Sequence, residues 1–392
     1  MDQDYKTVLS SIREHSPLHD LAKKGAAPQD VKAVLFGFLS PYLSNPDTLE
    51  RFGLAVLVPD AVVVARIQQD PWADRMLRTL LDAHRHAANV DERAAFAAYG
   101  DWEAEVQRGL SHWWSGYYLE SDKSRLALDE FVHEASRNMG AVIEACLQPL
   151  LRELLQLTRC ARGRQATKQD IVPLDFGVVV GELIDSSAFP DLLQPEPWRI
   201  RINQWRNMAQ HFGLAVRDRQ VGGTYGPAQN RRTVVLSRGE LLCVLRKVVL
   251  VFNIVKQART LFVLDNAERI APYLPEMELR PEHGIICLAS AVATQGFEMV
   301  DFLVEQGSVR AVVRDMTDGE PKRRMVHASQ FVCPIWYHFP RGSVTVVYED
   351  KQGKPRLTTV AKGEDCREVS EGRAPFEELA NRVQFVPHMD GN

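Results

Sequence analysis

Trp198 to Arg219 reads WRIRINQWRNMAQHFGLAVRDR. Placed on a helix at about 100° per residue, Ile202, Trp205, Met208, Ala209 and Phe212 share one arc, and Arg206, Asn207, Gln210 and His211 occupy the other side. A helix from about Pro197 to Phe212 with an apolar core face follows from that pattern. Asn207 and His211, four apart, stand one above the other, and the long Arg206 reaches in from the neighbouring row. A permanent cation, an amide and the side chain that titrates near neutral pH within a turn and a half make a set suited to a phosphodiester. Arg followed a few residues later by His also occurs at Arg13 to His19, Arg78 to His84 and Arg382 to His388. Pro17 and Pro387 interrupt two of these, and Thr79 follows Arg78, so only Arg206 combines an adjacent amide, a helical context and basic surroundings.

Those surroundings are unusual for the chain. Its net charge over 392 residues is −4, yet from Arg199 to Lys247 ten Lys and Arg face two acids, Asp218 and Glu240. Such a local excess attracts a polyanion even where the whole molecule repels one. The candidate RNA-contacting set is Arg199, Arg201, Gln210, Arg217, Arg219, Tyr225, Arg231 and Arg232.

Outward from this segment, the expected fold class is mainly α. One long helix or two collinear ones should cover Asp122 to Arg162, whose one internal proline is Pro149. A second helix should cover Phe176 to Ile184, and a fourth should run from Arg238 to about Ala267, opened by Ser237 as N-cap with Glu240 three residues on. The third and fourth helices are separated by about two dozen residues containing Gly222, Gly223 and Gly226, read as a flexible turn, and then a β-like Arg232 to Leu236. Four antiparallel helices with one long connection make a bundle. Before it, residues 1–121 read as a separate helical domain, with helix-period segments such as PQDVKAVLFGFL and PWADRMLRTLLDAHRHA. After it, residues 268–392 read as a small α+β domain. There a helix-like stretch around Ile285 to Val304 leads into period-2 segments SVRAVVRDM, RRMVHASQFV, SVTVVYED and RLTTVA.

Composition bounds the rest. With 45% hydrophobic residues the chain is too apolar to be disordered. The start MDQDYK does not resemble a secretory signal, and the longest apolar run, Leu241 to Val255, is interrupted by Arg246 and Lys247 and is short of the roughly 20 residues a membrane helix needs. Six scattered cysteines, with no paired spacing, indicate buried free thiols in a reducing cytoplasm rather than a disulfide framework or zinc site. No metal or other cofactor is expected. Trp102, Trp113, Trp114, Tyr117 and Tyr118 read as ordinary helix packing, with a base-stacking platform as the alternative. Lys322, Arg323 and Arg324 read as a solvated run that is also able to touch an RNA backbone.

Residues 122–267 resemble a HEPN domain, a four-helix bundle whose third helix carries Arg, a polar residue, a short spacer and His. Here these are Arg206, Asn207, three intervening residues and His211, followed by a variable loop and the Leu-rich LSRGELLCVLRKVVLVFNIV. Gln210 departs from the small residue often found before the histidine. The resemblance implies a metal-independent endoribonuclease acting as a homodimer on RNA, with Arg206, Asn207 and His211 as catalytic residues and cyclic-phosphate ends as product. It also implies a setting in toxin or antiviral defence, where an antitoxin or defence-system protein would be the partner. The family contains members without catalysis that serve as dimerisation and nucleotide- or partner-binding modules, and that is the alternative function.

Overall fold

The computed structural model describes residues 3–388 except 16, 17, 19, 20, 22, 23, 25, 55, 118–125, 186–188, 212 and 277–280. The chain is mainly helical, with 63% helix and 14% strand. Its residues group into two compact units: Met1–Pro41, Pro46–Val62 and Leu279–Asn392 in one, Tyr42–Asn45 and Val63–Glu278 in the other. The first unit begins with β1 (Gln3–Asp4), α1 (Lys6–His15) and α2 (Pro28–Leu39).

In the second unit α3 (Pro71–Val90) starts where the Asp70 carboxylate accepts from the Trp72 and Ala73 amides and Pro71 needs no acceptor. Next come α4 (Glu92–Tyr117) and a long rod made of α5 (Leu128–Ala141), a π turn (Val142–Leu147) and α6 (Gln148–Ala161). Pro149 would clash with the carbonyl four residues back in a plain α-helix. The wider π turn just before it, with the Gln148 amide donating to the Ile143 carbonyl, lets the rod pass through the proline. Then follow α7 (Phe176–Asp185), α8 (Ile202–Gln210), strands β2 (Leu214–Arg217), β3 (Gln220–Tyr225) and β4 (Arg232–Leu236), and α9 (Arg238–Asp265). The capping box at the start of α9 forms as its sequence indicates: the Ser237 amide donates to Glu240 Oε2 at 2.7 Å and the Glu240 amide to Ser237 Oγ at 3.2 Å.

The divisions expected at residues 121 and 267 are not where this unit divides. Polar side chains buried between α4, α6 and α9 cross the first of them. The Arg259 guanidinium reaches Glu153 at 2.9 Å and Glu103 at 2.5 Å, and Trp102 Nε1 donates to Gln156 at 2.7 Å. His84 of α3 pairs with the Tyr99 hydroxyl at 2.6 Å and stacks on Phe262 of α9. Trp102 is thus a core residue and Trp113 lies against Phe252 at 4.9 Å, as helix packing requires. The side chains of Trp114, Tyr117 and Tyr118 lie outside the described residues.

The chain re-enters the first unit with α10 (Pro281–Thr294), β5 (Phe297–Val304), β6 (Ser308–Asp315), α11 (Pro321–Ser329), α12 (Val332–His338), β7 (Ser343–Glu349), β8 (Pro355–Lys362), α13 (Gly363–Ser370) and β9 (Gln384–Pro387). The sheet order is β1-β5-β6-β7-β8-β9, antiparallel except for β6 beside β7, which the α11–α12 crossover makes parallel. β1 pairs with β5, Gln3 opposite Val304, which takes the start of the chain out of the separate helical domain expected for it. Two segments also differ from their periodicity. The run Ile285 to Val304 changes from helix to strand at Gly296, whose φ of 77° ends the helix. RRMVHASQFV is mostly helix because Pro321 occupies the first turn and the Glu320 carboxylate accepts from the Lys322 and Arg323 amides. Among the described residues no helix is long and apolar enough to cross a membrane. Five cysteines are buried free thiols as expected, whereas Cys243 is exposed.

Two outcomes test the second unit. Arg259→Ala leaves Glu153 and Glu103 facing each other without their cation, and should cost about 3–5 kcal/mol in chemical denaturation. Burial, then the charge of Arg259, depress the His84 imidazole from 6.5 to about 3. The unfolded chain therefore protonates first, so the stability contributed by neutral His84 is complete above pH 6.5 and is lost as pH falls towards 3. Burial raises Glu153 to about 7, so its contribution is lost instead as pH rises from 4.5 through 7, and the two trends oppose each other between pH 4.5 and 6.5. The informative quantity is the difference in melting temperature between wild type and His84→Gln, which should shrink between pH 7 and pH 4.

Candidate functional site

Helix α8 is shorter than its apolar pattern. Arg199 has a φ of 49°, so regular helix begins only at Ile202. At the other end His211 is the C-cap, its amide donating to the Asn207 carbonyl at 3.0 Å, and the Gly213 amide returns to the Met208 carbonyl at 2.9 Å. Ile202, Trp205, Met208 and Ala209 are buried as the core face, and Phe212 lies outside the described residues.

The polar face splits. Arg206 Nη1 donates to Asn207 Oδ1 at 3.3 Å, and Nη2 donates to Glu144 Oε1, also at 3.3 Å. Its Nε is buried without an acceptor. His211 is exposed at the end of the helix, and its ring makes no hydrogen bond to a described residue. Arg206 and Asn207 are thus joined directly and His211 is not tied to either side chain. Glu144, projecting from the π turn 62 positions away in sequence, is the site residue that the local pattern missed. Its only advance signal was Pro149, which requires some departure from α geometry in this part of the rod. π turns often occur at functional sites.

The sheet β2-β3-β4 replaces the flexible turn expected around Gly222 and Gly223. A Cβ on Gly223 would lie 2.9 Å from each of Leu214 Cδ2, Met208 Sδ and Val234 Cγ1, so glycine there lets the strand lie on α8. The Gly226 amide, donating to Gln204 Oε1 at 3.0 Å, ties the end of β3 to the same helix. Gln210 finds its space in a comparable way: a Cβ on Gly140 of α5 would come within 3.2 Å of Gln210 Cγ, so the bulky residue packs where its neighbour has no side chain. Gln210 then lines a groove of about 510 Å³ together with His133, Ser136 and Arg137 of α5 and Ala215 and Val216 of β2.

The remaining basic residues do not gather on one surface. Asp218 and Arg219, at φ 48° and 64°, form the two-residue turn of the β2–β3 hairpin, closed by the Arg217–Gln220 pair. Tyr225 and Arg232 are cross-strand partners, and strand alternation places them on the face that carries Leu214, Val221 and Leu236, opposite the face of Arg217. Arg231 is exposed just before β4, and Arg201 lies beside Gly181 of α7. Arg199 is in an exposed ion pair with Glu196, Arg206 is paired with Glu144, and Lys247 is 3.7 Å from Asp70. The positive excess is therefore smaller in space than along the sequence, because acids from outside the window fold back onto it. Among the described residues no group of three or more His, Cys, Asp or Glu side chains is placed to hold a metal ion.

Because the Arg206–Glu144 pair is partly exposed, 24% and 43%, it is worth no more than about 1 kcal/mol. Glu144→Gln should therefore lower stability by no more than about 1 kcal/mol in chemical denaturation. A larger loss would mean that the carboxylate holds the π turn against α8 and not only the guanidinium. Comparison with known proteins finds no matching family model, no similar curated protein and no similar solved structure.

Proposed function

We propose that the end of α8 is half of the active site of a HEPN-type endoribonuclease, a homodimer in which two copies of α8 face a shared groove. The observation that carries this reading is the placement of Arg206: a guanidinium held by Asn207 whose side chain is still 24% exposed, on the same short helix as an exposed His211 with no hydrogen bond to a described residue. A phosphoryl oxygen would accept from the Nη hydrogens of that guanidinium that face solvent. His211 would take the proton of the 2′-hydroxyl as its oxygen attacks phosphorus. The bond to the 5′-oxygen then breaks, that oxygen takes up a proton, and a 2′,3′-cyclic phosphate and a 5′-hydroxyl result. Arg206 would hold the charge that builds on the phosphoryl oxygens, and Asn207 would keep the guanidinium in place. Arg217, Arg219, Arg231 and Arg232, none of which is ion-paired among the described residues, would attract the RNA backbone. An antitoxin or other defence-system protein as partner, and a cytoplasmic setting, belong to the same proposal.

A second reading has an observation of its own. Glu144 already occupies one face of the Arg206 guanidinium, as it would in a non-catalytic HEPN-like module that dimerises and binds a partner or nucleotide. One experiment separates the two. Purified protein in EDTA should cut tRNA, mRNA or rRNA, and His211→Ala and Arg206→Ala should each lower the rate by about 10²–10⁴ while the dimer persists in sizing chromatography. Arg206-dependent binding of RNA that is never cut would leave the binding module as the function, and a monomeric wild type that neither binds nor cuts would remove both readings.

A further inference from the structure

The first unit carries a pocket that the reading of α8 does not use. It has a volume of about 680 Å³ and is lined by Trp336 of α12, the Pro340–Gly342 turn after it, Lys362 and, on α13, Arg367. The pocket has three features in one place. Trp336 is half-buried: part of its surface packs on the core of this unit, and its indole Nε1 donates to the Arg341 carbonyl at 3.2 Å, so the ring is fixed where it lines the cavity. Arg341 is held by main-chain carbonyls, Nε to Glu305 O at 3.3 Å and Nη1 to Pro340 O at 2.8 Å. Those dipoles orient the guanidinium without cancelling its charge. Arg367 makes no side-chain bond or ion pair with a described residue. Glu364 is the one carboxylate on the rim, and it lies 3.8 Å from Lys362 with both side chains 75% exposed, too open for the pair to neutralise the pocket.

The close fit of the chain supports a built pocket. A Cβ on Gly363 would fall 1.9 Å from the Arg341 carbonyl oxygen and 3.1 Å from Trp336 Nε1, so only glycine lets the start of α13 pass against the turn that presents Arg341. The larger cleft of this unit, about 1090 Å³ beside Arg324 and His327, differs in just this respect. There Arg324 spends its donors on Asp315 and on the Gln295 and Gly296 carbonyls, and His327 Nε2 is engaged by Gln295. Its buried cation is already neutralised, whereas Arg341 and Arg367 of the smaller pocket are solvent-accessible and have no carboxylate partner among the described residues.

We propose that this pocket binds one nucleoside phosphate, its base against the Trp336 indole and its phosphate between Arg341 and Arg367. An indole offers stacking to any base, two guanidinia offer forked donors to phosphate oxygens, and the volume is within the range of about 300–1,000 Å³ that small ligands occupy. The ligand is either a free nucleotide or the 5′-phosphorylated terminal residue of an RNA.

The test titrates the four ribonucleoside 5′-monophosphates into the full-length protein by calorimetry, with adenosine and inorganic phosphate as single-part probes and a 5′-phosphorylated oligoadenylate as the chain-end probe. At least one monophosphate should bind ten or more times tighter than either single-part probe. Arg367→Glu, on an exposed side chain, should weaken it at least tenfold with an unchanged melting temperature, and Arg341→Lys, which keeps the charge and loses the fork, at least fivefold. Tighter binding of the oligoadenylate than of AMP assigns an RNA end, and equal or weaker binding assigns a free nucleotide; both support the site. Monophosphates that bind no better than phosphate, or Arg367→Glu binding like wild type, overturn it. The oligoadenylate is titrated into full-length protein carrying Arg206→Ala and His211→Ala, so that binding or cutting at α8 does not enter the comparison and the outcome is independent of the nuclease reading.

Discussion

The ion cluster of Arg259 with Glu153 and Glu103 is the constraint on which the larger unit depends. The Arg259 guanidinium leaves water when α4, α6 and α9 meet, and its desolvation is offset by the Glu153 and Glu103 carboxyl groups in bonding geometry. Bringing α4 and α6 together without α9 would bury both carboxyl groups without their cation. The cluster therefore selects one mutual arrangement, and aromatic contacts of Tyr99, His84 and Phe262 fill the space around it. Because α6 continues through the π turn into α5, fixing Glu153 also fixes where Glu144 projects beside Arg206.

The site end of the same unit is set by missing side chains. Gly140 lets α5 approach Gln210, and Gly223 lets β3 lie on Met208 and Leu214. Each glycine exchanges a side chain's packing for a close approach of backbone. Between these two approaches α8 is held on two sides, and its end, with His211, stays exposed. A carboxylate next to the guanidinium and an imidazole in solvent leave the two ionic groups of the motif in different electrostatic settings, although they are five residues apart.

Much of the helical framework was legible in the sequence because helix ends carry chemical signals. Ser237 with Glu240 marks a start that the structure keeps, and the core face of α8 follows from the spacing of Ile202, Trp205, Met208 and Ala209. Periodicity was a weaker guide where a short segment fits two patterns. RRMVHASQFV alternates like a strand, and the local cap at Glu320 makes it mostly helix. The glycines of GGTYG suggest a turn, but Val221 and Val234 supply a ladder partner and a core contact that keep them extended. Of the site, Arg206, Asn207 and His211 were legible as neighbours on one helix. The dispersal of Arg217, Tyr225 and Arg232 over two faces of a sheet was not.

The sequence by itself determined several of the helices, where α9 starts, which face of α8 is apolar, and that a basic run surrounds it. Those properties depend on side chains within about one helical turn of each other, and a linear reading contains them. Only the tertiary structure decided that α3 and α4 share a core with α6 and α9, that β1 joins the C-terminal sheet, and that Glu144 meets Arg206. The physical reason is that these contacts join partners far apart in the chain, 106 positions for Glu153 with Arg259, 62 for Glu144 with Arg206 and 301 for Gln3 opposite Val304. No local pattern carries the identity of a partner that only folding brings into range.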